Sequence, residues 1–237
     1  MALTTGRRAD WLVPVGLIAL ALIPVAAGMA RLAMLAAGGP LAVENQRFFC
    51  APLPVVVHIV SATVFGLLGA WQFAPGLRRT RPAWHRRAGR IVVLAALGAA
   101  LSGLWMAHAY AIVPADSALL HGLRLFFGWA MVAAVAWGLV AILRGDVARH
   151  RSWMLRTYAI GMGAGTQALI QIPPLVLVGA PDDLPRALMM GAGWVLNLAV
   201  AEWLIRAPPR APRAGVRCRQ AAPGSPRASS GHPLTPP

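Results

Sequence analysis

The stretch RPAWHRRAGR, residues 81–90, surrounds His85 with Arg81, Arg86, Arg87 and Arg90 and runs directly into apolar sequence. Sixty residues on, ARHRSWMLR, residues 148–156, repeats the arrangement around His150. A charged cluster that opens onto a long apolar run is the signature of a helix entering a bilayer. The composition agrees. The chain is 58% hydrophobic and 12% charged, where a soluble domain averages about a quarter charged.

A bilayer core needs roughly 20 apolar residues per helix. Six runs meet that length: about 11–36, 54–75, 90–113, 118–143, 153–179 and 185–206. The predicted fold is all-α, a polytopic membrane bundle of six transmembrane helices over 11–206. It follows a short cytoplasmic N-terminus, 1–10, and precedes a disordered Pro- and Arg-rich cytoplasmic tail, 207–237. The first run follows Arg7 and Arg8 but exceeds the roughly 7–15 apolar residues of a signal peptide, so it reads as an uncleaved anchor.

All 22 basic residues are arginine. The absence of lysine excludes retinal and pyridoxal chemistry, which needs a Schiff-base amine. The net charge of +15 does not point to nucleic acid, because its distribution follows the membrane: 18 of the 22 arginines fall at the N-terminus, after spans two and four, and after span six. The opposite face holds Arg31, Arg47, Arg124 and Arg186, matched by Glu44, Asp116, Asp182 and Asp183. The positive-inside rule then puts both termini in the cytoplasm and the protein in the bacterial inner membrane. Residues 38–54 form a longer outside loop, expected to lie along the membrane surface. Cys50 and Cys218 form no metal or redox motif and fall on opposite sides.

Four histidines sort by depth. His58 and His121 fall near the outer ends of spans two and four. His85 and His150 fall just before spans three and five, on the inner side. Helix rise separates the two layers by roughly 25 Å. Small residues follow each histidine at helical spacing: Ala62, Gly66 and Gly69 after His58, Gly103 after His85, Gly128 after His121, and Gly161 and Gly165 after His150. Such stripes serve close helix packing, or leave room for a flat cofactor. Neighbouring arginines disfavour imidazolium at His85 and His150, and neutral imidazole is the metal-binding form. Arginines also pair with porphyrin propionates, or simply with anionic lipid headgroups. His108, near the outer end of span three, makes an alternative three-histidine metal site with His58 and His121.

Taken together, His58, WQF at 71–73, HRRAGR at 85–90, Trp137, HRSWMLRTYA at 150–159 and NLAVAEWLIR at 197–206 resemble a bacterial family of predicted membrane proteins, domain of unknown function 2306. The resemblance spans about residues 50–206. It implies fold and location, and no activity. The alternation of histidines over four consecutive spans is also similar to the cytochrome b561 superfamily, six-helix proteins that carry two haems. That likeness implies haem b at His58 and His121 and again at His85 and His150, and electron transfer with a quinol or other redox partner. A second function class is a haem-free transporter or small-molecule binder using Arg124, Gln167, Gln171, Asn197 and Glu202, beside a helix interrupted at Pro173–Pro174. Here Glu202 and Arg206 form an i,i+4 pair. A third is a structural or assembly subunit whose basic loops meet lipid. The arginine asymmetry makes one prediction at once: a C-terminal reporter is active in the cytoplasm and silent in the periplasm, and the reverse pattern would invert the topology.

Overall fold

The computed structural model describes residues 4–39, 42–111 and 117–207, without the side chains of residues 4–10, 43 and 44. The proposed tail, 208–237, lies outside the described residues. The helices are α1 (Thr4–Ala36), α2 (Val43–Cys50), α3 (Pro52–Ala70), α4 (Pro75–Thr80), α5 (Pro82–Ala109), α6 (Ala118–Leu143), α7 (Val147–Gly161), α8 (Gly163–Val178) and α9 (Asp183–Arg206). Among the described residues there is no strand. Six helical segments are long and apolar enough to cross a membrane, with α7 and α8 together forming the fifth. Their outward faces are apolar: Val176, Leu177 and Val178 are 77%, 81% and 84% exposed. A protein in water does not tolerate such a surface, so the bilayer covers it.

Two span boundaries differ from the sequence reading. α5 begins at Pro82 and α7 at Val147, so His85 and His150 lie inside their helices and not before them. The causes are local. Pro82 occupies the first turn of α5, where its missing N–H costs nothing. Asp146 caps α7 by accepting the Arg149 N–H at 2.9 Å. Arginine is itself a good helix former, so each helix continues past its apolar run.

The interior is built from small residues: Ala70, Ala96, Ala100, Ala134 and Ala141 are all at most 5% exposed. They let helix backbones approach closely where lipid supplies no hydrophobic drive between helices. The spans close into a ring, α1 on α3, α3 on α5, α5 on α6, α6 on α9, α9 on α8 and α8 on α1. α7 behaves differently. It packs on α6, α9 and α3, filling the interior of the arginine-rich half. Span five breaks at Met162, where α7 ends and α8 begins. After the break the chain leaves α6 and runs instead against α9 and α1.

The sequence points to Pro173–Pro174 for an interruption of span five, yet both prolines lie within α8. The break falls at Met162, between Gly161 and Gly163, where ψ opens to −5°. Tyr158, one turn before it, anchors the arginine-rich side. Its hydroxyl donates to the Gly66 carbonyl at 2.9 Å, and its ring packs on Phe65 and Phe73 with centroids 5.3 and 4.7 Å away.

Glycine tolerance follows from this packing. A Cβ at Gly165 would meet the Leu20 backbone oxygen at 2.5 Å, whereas one at Gly122 meets nothing within 4 Å. Gly165→Ala should therefore destabilise the α1–α8 contact by about 1–3 kcal/mol, and Gly122→Ala should fall within about 0.5 kcal/mol of wild type. Thermal unfolding in detergent distinguishes them, and equal melting temperatures would refute the α1–α8 register.

Candidate functional site

A cavity of about 460 Å3 lies in the half of the bundle away from the arginine-rich end. All six spans contribute to its wall, among them Gly28, Gly66, Gly103, Gly128, Gly161 and Gly165. The small-residue stripes serve close packing: Gly69 admits the Tyr158 ring, and Gly28, Gly128 and Gly161 admit the side chains of Ile59, Leu104 and Phe65. The lining is mainly apolar, with six polar members: Arg47, His58, Thr63, Tyr110, Arg124 and Gln167.

His58 is fixed from behind. Its Nδ1 lies 2.9 Å from the Ala99 carbonyl and 3.2 Å from Ser102 Oγ. A carbonyl only accepts, so Nδ1 carries the proton and the lone pair resides on Nε2. Fixing one ring nitrogen on a backbone carbonyl is how a ligating histidine is oriented. Gln167, 6% exposed, donates to the Met190 carbonyl at 2.9 Å.

The mouth is covered by α2, which bears Arg47 and Phe48. Arg47 Nη1 donates to the Ala111 carbonyl at 3.2 Å, and Arg31 reaches both Asn45 and the Phe48 ring. Tyr110, just past α5, donates to the Ala51 carbonyl at 2.6 Å. Burial raises its phenol above the ordinary tyrosine value, against the opposing charge of Arg47, so it remains a donor at neutral pH. The outside loop expected on the membrane surface is therefore partly this short helix, tied down by cations and an aromatic pair.

The histidine layers separate unexpectedly. His58 packs against Gly103, 3.3 Å from where its Cβ would be, and the next residue, Leu104, packs against Gly128. His58 and Gly128 therefore share a level. His121 lies seven residues before Gly128, two turns or about 10 Å farther out. It is on the same α6 face as Arg124 and Gly128 by its spacing, but it does not line the cavity. The expected outer pair is not at one depth. His108 is exposed, and among the described residues no three His, Cys, Asp or Glu side chains gather to hold a metal ion. The three-histidine alternative is not assembled.

His85 and His150 both lie at the arginine-rich end, in the first turns of α5 and α7. His150 repeats the His58 device, with Nδ1 2.8 Å from the Gly138 carbonyl.

The remaining polar candidates divide. Arg124 and Gln167 line the cavity, whereas Gln171, Asn197 and Glu202 do not. Gln171 donates to the Gln167 carbonyl at 3.3 Å. Asn197 accepts from Thr166 at 2.8 Å and donates to the Ala159 carbonyl at 3.2 Å. Glu202 is held less by Arg206, at 3.7 Å, than by Arg156, which grips it through Nε at 2.5 Å and Nη2 at 3.1 Å. Sequence spacing found only the i,i+4 contact; the stronger partner is 46 residues away.

Fold and site together define a polytopic α-helical membrane protein with an intramembrane cavity. Residues 55–205, more than half of the chain, match the family described as predicted membrane protein (DUF2306), and the chain belongs to that family. No curated protein and no solved structure matches it.

The Arg156–Glu202 pair joins span five to span six. Glu202→Ala should cost about 1–3 kcal/mol, between the values for exposed and buried pairs, and Arg206→Ala should cost less. Equal losses in thermal stability would show that the two arginines share the carboxylate evenly.

Proposed function

We propose that this protein binds one small, mainly apolar ligand within the membrane, in the cavity beneath α2, and that His58 anchors it. The observation that carries the reading is the His58 ring, lining the cavity with Nδ1 committed to Ala99 and the lone pair left on Nε2. A cavity of about 460 Å3 is within the range that holds one small ligand.

Haem b is the ligand these residues fit best. If haem were bound, His58 Nε2 would coordinate its iron, the apolar lining would cover its ring, and Arg47 and Arg124 would pair with its carboxylates. Bound there, haem would supply a one-electron centre for exchange with a quinol or other redox partner. The chain's own contribution is to orient the His58 ring, to neutralise the ligand's anionic groups and to keep water from its apolar part. His121 does not line the cavity, so His58 is the histidine that would hold the group. We place the protein in the bacterial inner membrane with the arginine-rich face cytoplasmic, so the cavity opens toward the periplasm.

A haem-free binder or transporter is the second reading. It is favoured by the break at Met162, because an interrupted span beside a mid-membrane site is a recurring transporter arrangement.

The absorption spectrum decides between them. Protein made with ample haem should show a Soret band that His58→Ala abolishes and that His121→Ala and His85→Ala retain. Loss of the band in His121→Ala would restore the bis-histidine pair. Wild-type protein without a Soret band would end the haem reading, leaving mass spectrometry of co-purified small molecules to test the haem-free one.

A further inference from the structure

The cavity that holds His58 has a second fixed acceptor, Gln167. This residue is 6% exposed and lines the cavity from α8. Its amide nitrogen donates to the Met190 carbonyl of α9 at 2.9 Å, and its Cγ lies 2.5 Å from where a Cβ on Gly193 would be. A carbonyl only accepts, so the amide nitrogen faces Met190 and Oε1 is turned away from it. Oε1 accepts no hydrogen bond among the described residues, and it is not one of the polar atoms sealed from all access. It opens onto the cavity that Gln167 lines.

His58 and Gln167 share a depth. Gly161 packs on the Phe65 ring, which sets those two residues at one level. His58 lies seven residues before Phe65 on α3, and Gln167 six residues after Gly161 on a span that runs the opposite way. Helix rise carries each about 10 Å toward α2. α1 packs on both α3 and α8, and its Ala21, Pro24 and Val25 line the same cavity. The two acceptors therefore flank the apolar face of α1. The other polar members differ in kind. Arg47 and Arg124 are donors only, Tyr110 gives its proton to the Ala51 carbonyl, and the Thr63 hydroxyl can donate or accept. A buried acceptor left unpaired is costly and selects for a group that brings it a proton.

We propose that the cavity takes an apolar molecule with two hydroxyl or N–H donors, one held by His58 Nε2 and the other by Gln167 Oε1. An apolar diol or diphenol is the simplest such ligand. This rests on the haem-free reading above and gives its ligand a chemical class. Gln167 is the residue that sets specificity. A molecule of the same shape with one hydroxyl capped as a methyl ether leaves Oε1 without a donor, and a site built around a hydrogen bond rejects such an analogue.

The test is equilibrium dialysis of the full chain in nanodiscs, read as saturable binding above empty nanodiscs. The probes are a naphthalenediol and a longer biphenyldiol with hydroxyls at opposite ends, each compared with its monomethyl ether. At least one diol should bind wild type about tenfold or more tightly than its ether. In Gln167→Leu that preference should fall below about twofold while the ether still binds. Ala62 lines the cavity one turn from His58, and Ala62→Phe should abolish saturable binding of every probe. A Soret band in the wild-type preparation, no saturable binding by any probe, or binding that survives Ala62→Phe overturns the haem-free reading and this inference with it. Binding that Ala62→Phe abolishes, with equal affinities of wild type for each diol and its ether, overturns this inference alone. So does a preference that Gln167→Leu retains. If Gln167→Leu fails to fold, the wild-type comparison of diol with ether decides the matter.

Discussion

In a bilayer a helix cannot break without a partner for the backbone groups it releases. The hydrogen bond from Asn197 to the Ala159 carbonyl meets that demand where span five changes direction. Thr166, just beyond the break, completes the arrangement by donating to the same asparagine. With the break satisfied, α7 can occupy the interior of one half while α8 takes a place in the ring. The cavity borders the break on both sides, at Ile160, Gly161 and Met162 and at Ala164, Gly165 and Gln167.

The two halves then differ in kind. The arginine-rich half is closed by aromatic packing around Tyr158 and by the Arg156–Glu202 pair. The other half holds the cavity, whose wall mixes glycine and alanine with methionine and aromatic side chains, and α2 contributes Arg47 and Phe48 to it. A single break partitions a symmetric-looking ring into a rigid base and an open chamber. Binding and stability consequently rest on different residues, with His58, Arg47 and Arg124 in the chamber and Tyr158, Arg156 and Glu202 in the base.

Much of this was legible in the sequence, because membrane helices announce themselves by length and apolarity. The six spans and the family both follow from runs, spacings and motifs. The break at Met162 was not legible. Glycine on both sides of a methionine is common in a membrane helix, whereas Pro173–Pro174 looked like the natural interruption. Both prolines lie in the second half of α8, and the helix continues through them to Val178. The depth of His121 was hidden for a related reason: counting from the end of an apolar run fixes position only to within a turn or two, and α5 and α7 extend beyond their runs. The Arg156–Glu202 contact needed the fold itself, since nothing local signals a partner on another helix.

The exclusive use of arginine at the basic face has a consequence of its own. A lysine ammonium drawn toward an apolar boundary can shed its proton, so a lysine belt would weaken as its surroundings dried or the medium turned alkaline. A guanidinium retains its charge throughout. The nine exposed arginines of α4 to α7 at this face, Arg78, Arg79, Arg81, Arg86, Arg87, Arg90, Arg144, Arg149 and Arg151, therefore act as a fixed electrostatic keel. It holds the molecule upright in the bilayer at a depth that acid or base in the surrounding medium does not alter.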